Sequence, residues 1–204
     1  MKRLIIGSLL AVLLLTVAAH AARSKDFFFS AALLQSLYQY EKGRELIASF
    51  DDAKGLEYQV KLLNKGMAEW RQGREIIKPY LEAVDPNYQS IATTVDNGLD
   101  LFLDHGEKTV YALERTIRGE MLSEEEMQAQ GGDQEDAEDQ AYTAIGNAVA
   151  GYAPTGLSKQ ERGILLFRID LLFGRSLRQY RQDQTKVNEI VAGIAKFEKS
   201  LKER

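Results

Sequence analysis

The stretch LEYQVKLLNKGMAEWRQGREIIKPYLEAV, residues 56–84, decides the fold. Leu56, Val60, Leu63, Met67, Trp70, Ile77, Leu81 and Val84 recur at steps of four and three, and Arg74 stands in the one apolar gap. That spacing keeps one side of a helix apolar and makes a seam for a second helix. A long amphipathic helix with a helical partner is therefore expected. Pro79 lies inside the pattern. An interior proline removes a backbone hydrogen bond and clashes with the preceding turn, and the spacing resumes after it, which predicts a kink.

Working outward, Phe29, Leu33, Leu37, Tyr40 and Ile47 mark a first helix over residues 27–50. On the other side, Asp85-Pro86 offers a capping carboxylate followed by a proline whose missing N–H is harmless in a first turn. A third helix then follows over residues 86–122, with the stripe Tyr88, Ile91, Val95, Leu99, Phe102, Gly106, Val110, Leu113 and Ile117. Ser123 with Glu126 has capping-box spacing, and Gly131-Gly132 ends that segment. A fourth helix over residues 133–152 opens with acids that suit the positive end of a helix dipole. Its inner face is read as Ala137, Ala141, Ala144, Ala148 and Gly151, small enough for a neighbouring backbone to come close.

Ser158 and Glu161 form a second capping box. The last helix reads as one rod over residues 159–204, about 65 Å long at the helical rise. Its seam passes through Phe173, Leu177, Tyr180, Val187, Val191, Ile194 and Leu201, with Gln184 and Glu198 at seam positions. No stretch alternates as a strand would. The expected fold class is all-α: an elongated helical bundle of four long helices plus a shorter, small-residue-faced helix, forming one domain over residues 22–204.

Residues 1–21 read as a signal peptide. Lys2 and Arg3 precede an apolar run from Leu4 to about Val17, and small residues around Ala19-His20-Ala21 suit cleavage after Ala21. The rival reading is a retained anchor, although the run reaches the ~20 residues of a membrane span only by including His20 and Ala22. Export to the periplasm or the exterior is expected. Cleavage removes Lys2 and Arg3 and takes the formal net charge from −4 to −6. A mildly acidic chain argues against bulk binding to nucleic acid or to an anionic membrane, and leaves the N-terminal segment as the one membrane contact, if retained. With no cysteine, stability rests on packing, and thiol catalysis, thiolate metal sites and covalent c-type haem are ruled out.

Histidine narrows the chemistry further. Beyond residue 21, His105 stands alone, so neither a two-histidine zinc site nor a paired di-iron site can be built. Haem ligation by His105 with Met67 or Met121 is weighed against a half-exposed histidine, and the latter is favoured. Asp96, Asp100, Asp104 and Glu107 share one side of the third helix and read as a solvated face. No catalytic residue, metal site or cofactor is assigned.

Two charge features carry the functional expectations. Between Arg118 and Lys159 there is no basic residue, whereas the stretch holds nine acids, including Glu124, Glu125, Glu126, Asp133, Glu135, Asp136 and Asp139. The chain from Lys159 onward carries eleven basic and six acidic residues. The acidic stretch either answers the basic final helix within the chain or forms a docking surface for a basic partner. Charged residues also fall on apolar seams: Arg44, Arg74 and Asp170. A buried charge needs a counter-charge, so Arg44 or Arg74 is expected to pair with Asp170 or Glu198. The alternative gathers both arginines with Tyr40, Trp70 and Tyr80 around an anionic small molecule.

The leading expectation is a non-enzymatic exported bundle that binds another protein of the cell envelope, with a homo-oligomer also open. The alternative is a periplasmic binder or sensor of a small anion. An envelope enzyme with an unrecognised carboxylate site comes third.

Overall fold

The computed structural model describes residues 23–51, 54–121, 123 and 133–203, with the side chains of residues 133–135 and 186 outside that description. The expectations for residues 1–21, for Glu124, Glu125 and Glu126, and for the Ser123 and Glu126 capping box therefore lie wholly or partly outside the described residues.

Six α-helices form, and no strand occurs among the described residues: α1 Lys25–Ala48, α2 Leu56–Ile77, α3 Pro86–Ile117, α4 Asp133–Gly151, α5 Lys159–Gln182 and α6 Glu189–Lys202. Each packs on the next around a closed circuit, α1 on α2, α2 on α3, α3 on α4, α4 on α6, α6 on α5 and α5 back on α1. One hydrophobic core runs through all six. At one level Phe29 stacks on Tyr88 at 4.4 Å and meets Tyr80 and Tyr152 edge-on. At another, Tyr40, Trp70, Phe102 and Tyr142 pack together.

Two breaks were not expected. The helix through residues 56–84 stops at Ile77 instead of kinking, and Lys78–Tyr80 forms a 3₁₀ turn that accommodates Pro79. Leu81 still touches the core, but Val84 is fully exposed, so the seam does not continue to its end. Asp85 then caps α3 by accepting from the Asn87 N–H at 2.9 Å, with Pro86 in the first turn.

The expected last rod is likewise two helices. Asp183 adopts an extended backbone and accepts from the Thr185 N–H, while Asn188 caps α6 by accepting from the Val191 N–H at 3.0 Å. Short polar side chains that bond to nearby backbone favour caps over helix interiors. The reversal releases Gln184 from the seam and folds Ile190, Val191, Ile194, Phe197 and Leu201 into the core.

The expected small face of α4 holds in part, since Ala141 and Ala148 pack against the core. Ala144 and Gly151 are exposed, and the buried side carries Ile145, Gly146 and Val149. Gly146 meets Gly193 of α6 so closely that a Cβ on Gly146 would lie 2.6 Å from the Glu189 carbonyl carbon. A second close crossing joins α1 to α2, where a Cβ on Gly43 would lie 2.7 Å from the Gly66 carbonyl oxygen.

The Ser158 and Glu161 capping box forms as read. Glu161 does more than cap α5, because its carboxylate also accepts from the Ser24 N–H at 2.6 Å and so ties the start of α1 to the start of α5.

Candidate functional site

The five residues grouped by sequence as an ion pair or pocket do not form one site: Tyr40 and Trp70 touch each other in the core, while Arg44 and Arg74 line separate grooves. Arg74 lies between α2 and α3, where its guanidinium forks onto Asp96 at 2.8 and 3.1 Å and also reaches Asp100. Arg71 pairs with Glu107 at 2.6 Å in the same groove of about 670 Å³. The carboxylates read as a solvated face are thus partly engaged across α2 and α3. Hydrogen bonding to Asp96 raises Arg74 further above its ordinary range, against the opposing effect of burial. Because Arg74 is one-third exposed, its network is screened, and Arg74→Ala is expected to cost about 1 kcal/mol, measured by urea unfolding and shrinking with added salt.

Arg44 sits in a different groove. Its Nη2 donates to Glu41 at 3.1 Å, and Glu41, itself buried, also accepts from the Asn188 amide at 2.7 Å. Burial would lower the Arg44 pKa, but Glu41 outweighs it and holds the value up. Arg44, Ser49, Arg175, Ser176, Gln179 and Asn188 line this groove of about 380 Å³ between α1, α5 and α6. Neither expected acid takes part in an arginine pair on α1 or α2. Asp170 is exposed on the outer side of α5, and Glu198 pairs with Arg181 at 2.7 Å and Lys202 at 2.6 Å. A pairing of Arg44 or Arg74 with Asp170 or Glu198 is therefore corrected to Arg44 with Glu41 and Arg74 with Asp96 and Asp100.

Tyr40 and Trp70 are core residues rather than pocket walls. Their rings stack with centroids 6.3 Å apart, and the Trp70 indole N–H donates to the Tyr40 carbonyl at 3.1 Å. Burial first, and then the neighbouring Tyr142, push Tyr40 well above its ordinary pKa, so it stays a neutral phenol. Tyr80 packs edge-on against Phe29 and lines neither arginine groove.

His105 is buried, not half-exposed, with Nδ1 2.9 Å from Glu138 Oε1 of α4. Met67 lies in the packed core with its sulfur against Gly106, and Met121 stands exposed past the end of α3. Among the described residues, no three histidine or carboxylate side chains are grouped to hold a metal ion.

For the acidic surface, α4 carries Asp133, Glu135, Asp136 and Asp139. Asp136 and Asp139 are exposed and, with Gln140, Thr143 and Ala144, line an open hollow of about 600 Å³. The basic side of the asymmetry is concentrated elsewhere, on the outer face of α5. Phe167 and Leu171 are 69% and 70% exposed there, Ile164 is half-buried beside them, and Arg168, Arg175 and Arg178 form no ion pair with a described residue. Ile164, Phe167, Leu171, Gly174 and Arg178 follow one another at helical seam spacing. This face was missed in the sequence because the inner seam through Phe173 and Leu177 took precedence. The second stripe was legible in the same residues.

No helix among the described residues is long and apolar enough to cross a membrane. The chain matches no protein-family model, and comparison with curated proteins and with solved structures gives no match.

Proposed function

We propose that the protein is a non-enzymatic, exported helical bundle that works by binding a protein partner in the cell envelope, through the outer face of α5. The observation that carries this reading is the pair of large apolar side chains, Phe167 and Leu171, left exposed one turn apart beside three unpaired guanidinium groups. Scattered surface apolars need no explanation, but a contiguous apolar stripe rimmed by charge is what a docking face requires. Export rests on the pattern of residues 1–21. The test is photo-crosslinking in cells from a reactive residue at position 171. Adducts at position 171, with few from a control at exposed Glu75, are expected; equal yields at both positions contradict the reading.

A second reading has its own observation. The Arg44 Nε is buried without a hydrogen-bond partner, and Arg175, also unpaired, opens onto the same groove. Two guanidinium groups suit a carboxylate or phosphate. If a small anion binds there, millimolar phosphate or citrate raises the melting temperature of the protein and the increase disappears in Arg175→Ala. An unchanged melting temperature removes this reading and leaves the first intact.

A further inference from the structure

We infer that a second copy of this chain covers the outer face of α5, docking the outer face of its α4 there. This rests on the reading of α5 as the binding surface and names its occupant. The two faces are opposites. That of α5 is large, apolar and cationic at Phe167, Leu171, Arg168, Arg175 and Arg178, while that of α4 is small and anionic at Asp136, Asp139, Thr143 and Ala144.

The register also fits. In an antiparallel crossing with Leu171 over Ala144, Arg175 and Arg178 lie roughly 6 and 10 Å along α5, and Asp139 and Asp136 lie roughly 8 and 12 Å along α4. Leu171 then covers the Ala144 end of the hollow, and Phe167 lies one turn beyond it toward the end of α4.

Within one chain α4 packs on α3 and α6, and α5 packs on α6 and α1, and the two exposed faces are the sides turned away from these neighbours. They can meet only between copies. Pairing α5 with α5 would instead set three arginines of each copy against the same three, with Asp170 as the opposing acid on that face. An acidic lipid surface would attract α5 but leaves the hollow on α4 without a role.

Sedimentation of the purified protein tests the contact. At low salt the average mass is expected to rise with concentration to at least twice that of one chain, and to fall back as salt screens the charges. Phe167→Ser with Leu171→Ser, and separately Asp136→Lys with Asp139→Lys, should each give a single chain. Mixing the α4 charge-reversed protein with Arg168→Glu, Arg175→Glu and Arg178→Glu should restore association that neither shows alone. Because the chain has no cysteine, Leu171→Cys mixed with Ala144→Cys should form an interchain disulfide, whereas Leu171→Cys mixed with Glu75→Cys should not.

A single-chain mass at every concentration overturns the proposal. If crosslinks from position 171 then reach a different protein, the reading of α5 as a binding surface survives without a second copy; if there are none, both fail. Flotation of a single-chain species with phosphatidylglycerol vesicles, lost in the Phe167 and Leu171 variant, assigns the face to lipid and also overturns it.

Discussion

Gly146→Val is expected to destabilise the protein by about 3 kcal/mol, because over-packing a site that cannot give costs in that range. The obstruction is backbone rather than side chain: the Glu189 carbonyl of α6 occupies the space a Cβ on Gly146 would need, and Gly146 in turn blocks a Cβ on Gly193. For a domain of this size the loss lowers the melting temperature by about 10 °C. Gly151→Ala is the control. Gly151 belongs to the small stripe that the sequence suggested, yet nothing lies within 4 Å of its added Cβ, so the change should stay within a few tenths of a kcal/mol. Thermal unfolding of the two variants decides which glycine the α4 and α6 crossing depends on. Similar behaviour of both contradicts the packing described.

The second large effect concerns Glu161. Burial alone would raise its pKa, but the N–H groups of Ser24 and Ser158 and the Ser158 hydroxyl outweigh burial and bring it to about 2, against an ordinary 4.5. A carboxylate lowered by that much contributes on the order of 3 kcal/mol to stability at neutral pH. Its sign follows from the direction of the shift. The folded pKa lies below the unfolded one, so the contribution is complete above about pH 4.5 and is lost as pH falls toward 2. Glu161→Gln keeps the size and removes the charge. It should therefore be less stable than the native protein by a few kcal/mol at pH 7, with the difference closing between about pH 4.5 and 2. A gap that stays constant across that range would show that the ionised carboxylate is not what joins α1 to α5.

Much of this fold is legible in the sequence because apolar periodicity depends on local geometry. Phe29, Leu33, Leu37 and Tyr40 bury as their spacing demands, as do Tyr88, Ile91, Val95 and Leu99, and the caps at Asp85 and Ser158 form where their chemistry puts them. The breaks are harder because periodicity does not register a chain reversal. Leu81 and Val84 continue the count of residues 56–77 after the helix has ended at Ile77. At the second break, Asp183, Thr185 and Asn188 carry the local signal for an interruption, but Val187 and Val191 keep the seam in step across it.

The site was less legible than the fold. Whether Arg74 finds Asp96 or Glu198 depends on which helices become neighbours, which no spacing within one helix encodes. Arg44 illustrates the same point at shorter range, since its counter-charge, Glu41, lies one turn back on its own helix. On α5 two stripes are present, and sequence alone does not say that the described chain covers Phe173 and Leu177 while leaving Phe167 and Leu171 open.

The most direct measurement uses the absence of cysteine. Leu171→Cys gives the chain a single thiol, as does Glu75→Cys at an exposed control position. Each is treated with a membrane-impermeant maleimide, first in isolated envelopes opened to the reagent and then after purification and dilution. If the outer face of α5 is the binding surface, position 171 labels readily in the dilute purified protein and slowly in the envelope, while position 75 labels alike in both. Equal labelling of position 171 in the two settings would contradict the account.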